Sequence, residues 1–109
     1  MLIDFFDAEY ISQEFSLEDE TFTISLELWN GKPAKISFFG VIGFQVLSIG
    51  EPVGLKCEEL PSQFFCDALS ALFIKVPEQH EYKCYEIIDV GVDELPFIKI
   101  AAKGYEFLE

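Results

Sequence analysis

The hydrophobic positions of this chain follow two different periods. From Thr21 to Trp29 they alternate: Phe22, Ile24, Leu26 and Leu28 stand between Thr21, Thr23, Ser25 and Glu27, the two-residue period of a strand with one face in a core and the other in water. Asn30-Gly31 follows at once. Both residues tolerate positive φ, so the pair suits a reversal, and Lys32 and Pro33 lengthen the loop. The partner strand runs through Ala34, Lys35, Ile36, Ser37 and Phe38, after which Gly40 and Gly43 mark a bulge or bend. Further strands are predicted over Phe44 to Ile49, ended by Gly50-Glu51-Pro52, and over Val53 to Cys57. Upstream, Tyr10 to Leu17 reads as a first strand and Met1 to Ala8 as a short helical turn.

The period then changes. Phe64, Phe65, Ala68, Leu69, Leu72 and Phe73 recur on one helical face, with Gln63, Cys66, Asp67 and Ser70 elsewhere on the wheel. A helix over about 61–74 is predicted, opened by Pro61 at its first position or by Ser62 as a cap, and stopped before Pro77. Glu58 and Glu59 precede its positive end. After a loop at Glu78 to Glu81, Tyr82 to Val90 reads as a strand offering Tyr82, Cys84, Ile87 and Ile88 to the core. Phe97 to Ala102 and Tyr105 to Leu108 flank Lys103-Gly104, whose glycine suits a tight turn. Strands before and after a lone helix give an α+β domain: one antiparallel sheet of about five to seven short strands with the helix packed on one face.

Composition narrows the function classes. The 109 residues carry 20 acids against 7 lysines, no arginine and one histidine, a formal charge of −13. A chain of this length is one domain, and a hydrophobic share of 50% supplies a core. The longest apolar stretch, near Phe38 to Ile49, is broken by Gly40, Gly43, Gln45 and Ser48 and is too short to span a bilayer. Acids at Asp4 and Asp7 stand where an export signal needs basic residues, so a cytoplasmic protein is expected. Cys57, Cys66 and Cys84, odd in number and irregular in spacing, read as reduced thiols.

Chemical motifs are few. The single His80 lies between Gln79 and Glu81, with no nucleophile beside it in sequence, and no glycine-flanked serine elbow is present. Neither the cysteines nor Glu18-Asp19-Glu20 have the spacing of a zinc or calcium site. Gly40-Val41-Ile42-Gly43 lacks the lysine of a phosphate loop. Scattered lysines provide no footprint for nucleic acid. The expectation is a binding protein with no cofactor and no catalytic set, whose partner is a basic protein steered by charge. Candidate contact charges are Glu18, Asp19, Glu20, Glu58, Glu59, Asp89, Asp93 and Glu94. Trp29, Tyr82, Tyr85 and Tyr105 are the candidate aromatic anchors.

The segment Thr21 to Ile49, with its alternating strand, Trp29-Asn30-Gly31 and Ile36-Ser37-Phe38-Phe39-Gly40-Val41 leading to Phe44, resembles small bacterial immunity proteins. That resemblance implies a cytosolic protein that binds one cognate toxin, often a basic nuclease, and blocks it. It carries over no functional residue. Two other classes stay open: a structural or adaptor subunit that works by self-association, as a homodimer rather than a monomer, and an enzyme that uses acids alone.

Overall fold

A computed structural model describes residues 2–4, 8–46, 53–58, 60–75, 77, 79–89 and 95–109. Among them nine strands and one helix follow in the order β1 (Leu2–Asp4), β2 (Glu9–Ser16), β3 (Thr21–Glu27), β4 (Pro33–Phe39), β5 (Gly43–Val46), β6 (Val53–Cys57), α1 (Gln63–Leu72), β7 (Lys83–Asp89), β8 (Leu95–Ala102) and β9 (Gly104–Leu108). The strands form two antiparallel sheets, a five-stranded one ordered β1-β6-β7-β8-β5 and a four-stranded one ordered β2-β3-β4-β9. The α+β character therefore holds in outline, but the expected single sheet of five to seven strands is replaced by two sheets.

The reason lies at Lys103-Gly104. β8 and β9 do not pair with each other, as a hairpin would require, but continue one strand from the first sheet into the second. Their common partner does the same. β4 pairs with β9 as far as Phe39↔Gly104, and pairing resumes between β5 and β8 at Gly43↔Ala101. Three residues, Gly40 to Ile42, thus oppose two, Ala102 and Lys103. One extra residue on one side of a ladder is a bulge, and a bulge bends the ribbon. Lys103 N–H donates to the Phe39 carbonyl at 3.0 Å and Ile42 N–H to that of Ala101 at 2.9 Å, so the corner keeps its hydrogen bonds. Gly40 makes the bend at φ +62°, and its missing side chain leaves room for the Lys103 stem, whose Cγ and Cδ would lie 2.7 Å from a Cβ there.

The sheets close on one core. Phe22, Ile24, Leu26, Ala34, Ile36 and Phe38 come from one, and Leu55, Tyr85, Ile87, Ile98, Ile100 and Ala102 from the other, all buried. Phe38 and Tyr85 stack across the interface with centroids 5.4 Å apart. The other face of the five-stranded sheet carries α1, whose Ala68 Cβ lies 3.4 Å from where a Gly43 Cβ would stand. Leu69, Cys84, Ile88 and Ala101 are buried outside the main cluster.

The sequence expectations for β7 and for the start of the chain are corrected in part. Of the residues expected to offer themselves to the core, Cys84, Ile87 and Ile88 are buried, Ile87 in the main cluster and the other two outside it, whereas Tyr82 is only half-buried; Tyr85, which was not expected there, joins the main cluster. Leu2–Asp4 is a strand paired with β6 rather than a helical turn, and residues 5–7 lie outside those described, as do 47–50 of the strand predicted to Ile49. Of the two helix starts, Ser62 is the cap, accepting from the Phe65 N–H at 3.3 Å. None of the described helices is long and apolar enough to cross a membrane.

The corner is open to direct measurement. Gly40→Ala forces a left-handed alanine against Lys103 and is expected to lower stability by about 1 to 2 kcal/mol in urea unfolding. Gly31, at φ +78° with nothing within 4 Å of its would-be Cβ, bears only the backbone strain, so Gly31→Ala should cost less. Equal losses would show that Lys103 does not constrain the corner.

Candidate partner-binding surface

The structure divides the acids into two populations. Glu58 and Glu86 are held inside. Lys56, Glu86 and Lys99 are register neighbours across β6, β7 and β8, with Lys56 Nζ 3.9 Å and Lys99 Nζ 3.7 Å from the Glu86 carboxylate. Lys99 Nζ also reaches Glu58 at 3.4 Å. Glu58 in turn accepts from the Ser62 N–H and so closes the helix start. Burial pushes the Glu58 carboxyl up, but its hydrogen bonds from Ser62 and Cys84, together with the Lys99 charge, prevail and hold it below the usual value. Cys84 responds in the opposite sense: burial and the neighbouring Glu58 carboxylate push its thiol up to about 12.

Glu58 is therefore a structural carboxylate with 8% of its side chain exposed, and its sequence-based assignment to a contact surface is corrected. Tyr85 is corrected likewise. At 5% exposure its ring belongs to the core, because β7 turns that face toward Phe38 and Tyr105. Tyr105 is half-buried in the same aromatic group. Tyr82 packs edge-on against Phe73 and lies under Lys103 Nζ at 5.9 Å. Asp89 ends β7 opposite Val53 and Leu95; its side chain, and residues Glu59, Asp93 and Glu94, lie outside those described.

A second group is exposed and, among the described residues, outside every ion pair. Glu18, Asp19 and Glu20 form the turn between β2 and β3, where the Asp19 N–H donates to Ser16 Oγ at 3.3 Å. Glu20 adopts φ +54°, a left-handed backbone unfavourable for a residue with a Cβ. It is clamped there by its carbonyl, which accepts the Val41 N–H at 2.9 Å. The acidic turn is thereby tied to the bulged corner. Glu9 and Glu27 stand directly opposite each other across β2 and β3, a like-charge pair that costs stability. The ion pairs of the described residues involve Glu58, Glu81 and Glu86 and none of these acids.

Trp29 is 72% exposed but sits in the turn after β3, whereas the acids precede that strand. Seven residues of extended chain separate them, about 23 Å, so the structure does not bring Trp29 and Glu18 to Glu20 together. What adjoins the acidic turn is apolar. A hollow of about 460 Å³ lies between the end of β2, the corner and α1, with Phe15, Leu17, Phe44, Ala71 and Leu72 on its walls and Glu20 at its margin. Leu17 is 79% and Leu72 48% exposed. The Phe44 ring packs on Phe15 and Phe22 with centroids 4.9 and 4.8 Å away. A second hollow of about 680 Å³ continues along β5 beneath the start of the helix, where Gln45, Gln63, Asp67 and Lys99 are polar.

These groove residues escaped the sequence reading. Its signals were Leu17, apolar yet placed directly before three acids, and a helical stripe from Phe64 to Phe73 wide enough to face both a sheet and something else. Compared with family sequence models, curated proteins and solved structures, the chain matches none. Among the described residues no three His, Cys, Asp or Glu gather as metal ligands. The arrangement offers exposed carboxylates beside an apolar groove, which suits recognition of a cationic, partly apolar surface.

Two measurements check the division between inner and outer charges. Lys99→Met leaves two largely buried carboxylates short of a cation and should destabilise the protein by about 3 kcal/mol at neutral pH. Glu58, with its folded pKa lowered from 4.5, contributes stability that is present above that value and lost as pH falls through the folded pKa. The Lys99→Met deficit should therefore shrink on acidification, and a deficit independent of pH would refute the pairing. For the thiols, an aromatic disulfide reagent should label exposed Cys66 in the native protein and reach buried Cys84 only on unfolding. Rapid native labelling of Cys84 would contradict its placement.

Proposed function

We propose that the chain is an acidic binding protein of the immunity type, which docks on a basic protein toxin and blocks it without chemistry of its own. The observation that carries this reading is the acidic turn Glu18 to Glu20: three exposed carboxylates, held by a strained backbone and a hydrogen bond to the corner, without a cation among the described ion pairs. Unpaired charge of this kind is a cost in the free protein that a cationic partner removes. The overall charge of −13 would steer such a partner in and accelerate association. Apolar Leu17 and Leu72 beside the turn provide area that can be desolvated at the centre of the contact.

Self-association as a structural subunit is the competing reading, supported by Phe107 and Leu108, 39% and 50% exposed on the edge strand β9. Two copies carrying −13 each repel one another most at low salt, so this reading requires an apolar dimer favoured by added salt.

The test uses the product of the neighbouring reading frame in the source genome. It should bind with an on-rate that falls at least about tenfold between about 0.02 M and 0.5 M salt, and its toxicity should be suppressed at one-to-one stoichiometry. Glu18→Lys with Asp19→Lys should slow association at least about tenfold further, while Trp29→Ala, remote from the turn, leaves it near wild type. Failure to bind, or a dimer in sedimentation that strengthens with salt, would overturn the immunity reading.

A further inference from the structure

β5 is the terminal strand of its sheet, and among the described residues it pairs with β8 alone, from Gly43↔Ala101 to Val46↔Ile98. In an antiparallel ladder alternate residues direct their N–H and C=O groups to opposite sides. Half of the β5 backbone groups therefore point away from β8. An edge of this kind is a template for another strand unless it is shielded. Here it lies along the groove: both hollows are lined by Gly43 and Phe44 on the strand, by Ile42 just before it and by Ala68 on the helix.

The walls of the groove differ in chemistry. On the helix side, toward the outer face of the sheet, stand Gln63 and Asp67, whose side chains hydrogen-bond at 2.7 Å. On the other side stand Phe15 and Leu17, with Glu20 beyond them, and Ala71 and Leu72 at the end of α1 close this apolar part. Lys99, the one cation lining the groove among the described residues, is spent on Glu58 and Glu86. An incoming cation thus meets Asp67 and Glu20 without a competing free charge.

We infer that this groove takes an extended, basic segment of a protein partner, added as a strand to the open edge of β5 between α1 and the end of β2. Main-chain hydrogen bonds to β5 supply affinity independent of sequence. The period of two in the added strand sends alternate side chains to the two walls: Lys or Arg toward Asp67, and apolar residues toward Phe15, Leu17 and Leu72. The acidic turn attracts the segment, and the edge holds it. This assignment rests on the binding of a basic protein argued above, and it specifies which part of the partner is grasped and by which bonds.

The probe is a fluorescent synthetic peptide of about ten residues in which lysine and valine alternate, long enough to cover the four residues of β5. It is prepared unmodified, with every lysine amide N-methylated, and with every valine amide N-methylated. Methylation on one alternate set removes the donors that face β5 and should weaken binding at least about tenfold, while the other set, facing solvent, stays within about twofold. Leu72→Glu makes the protein more acidic and so would strengthen a purely electrostatic contact, but it should weaken the unmodified peptide at least about fivefold by spoiling the apolar wall. Ala71→Trp, at an exposed helix position, fills the groove and should abolish binding with the melting temperature unchanged. Equal binding of the two methylated peptides, tighter binding to Leu72→Glu, or no binding of the unmodified peptide would each overturn the strand-addition assignment.

The two levels of the reading fail separately. If the neighbouring frame's product is lost on charge reversal of the turn but is held normally by Ala71→Trp, the immunity reading stands and the groove assignment falls. If the peptide binds in the alternating pattern while that product is not bound, the groove assignment stands and the immunity reading falls.

Discussion

The structure depends on one extra residue. Because Gly40, Val41 and Ile42 oppose only Ala102 and Lys103, the ribbon made by β4-β5 and β8-β9 bends, and a single antiparallel ladder serves two sheets. Without the bend the apolar face of β3 and β4 would have no second sheet to cover it. The same corner donates the Val41 N–H to Glu20 and so fixes the acidic turn at the mouth of the groove. Fold and candidate surface therefore share one structural cause, and no separate device is needed to hold the turn beside the edge of β5.

Charge is arranged in the same two-part manner. Lys56, Lys99, Glu58 and Glu86 neutralise each other across three strands and the helix start, where an unpaired carboxylate would be costly. Among the described ion pairs, none compensates the exposed acids of β2, the turn and β3. A protein selected for stability alone would have little reason to set Glu9 opposite Glu27 or to place Glu20 at φ +54°; local strain of this kind concentrates where a surface is used. The proposal of a cationic partner, rather than charge as a mere solubiliser, rests on this contrast between a balanced interior and an unbalanced turn.

Much of the local structure was legible in the chain, and most of the long-range structure was not. The alternation of Phe22, Ile24, Leu26 and Leu28 gave β3 its inward face correctly because the other face of that sheet meets water. β7 was read only in part for the opposite reason: with the core on one side and α1 on the other, Tyr85 is buried as well as Cys84, and alternation carries no phase when both faces are apolar. Lys103-Gly104 has the local chemistry of a tight turn, and only pairing with residues 65 to 73 positions away distinguishes a corner from a hairpin. The groove was invisible for a related reason, since Phe15, Phe44 and Leu72 come from three elements. Glu58 looked like one more surface acid because its partners, Ser62 and Lys99, are joined to it by the fold.

The central claim is that the corner unites the acidic turn and the open edge of β5 into one contact surface. Residue-resolved amide hydrogen exchange of the chain, free and saturated with the partner proposed above, the product of the neighbouring reading frame, tests it most directly. The account predicts new protection in Leu17 to Glu20 and in Gly43 to Val46 together, with the Trp29 turn and β9 unchanged. Protection confined to the Trp29 turn or to β9, with β5 exchanging as in the free protein, would contradict it.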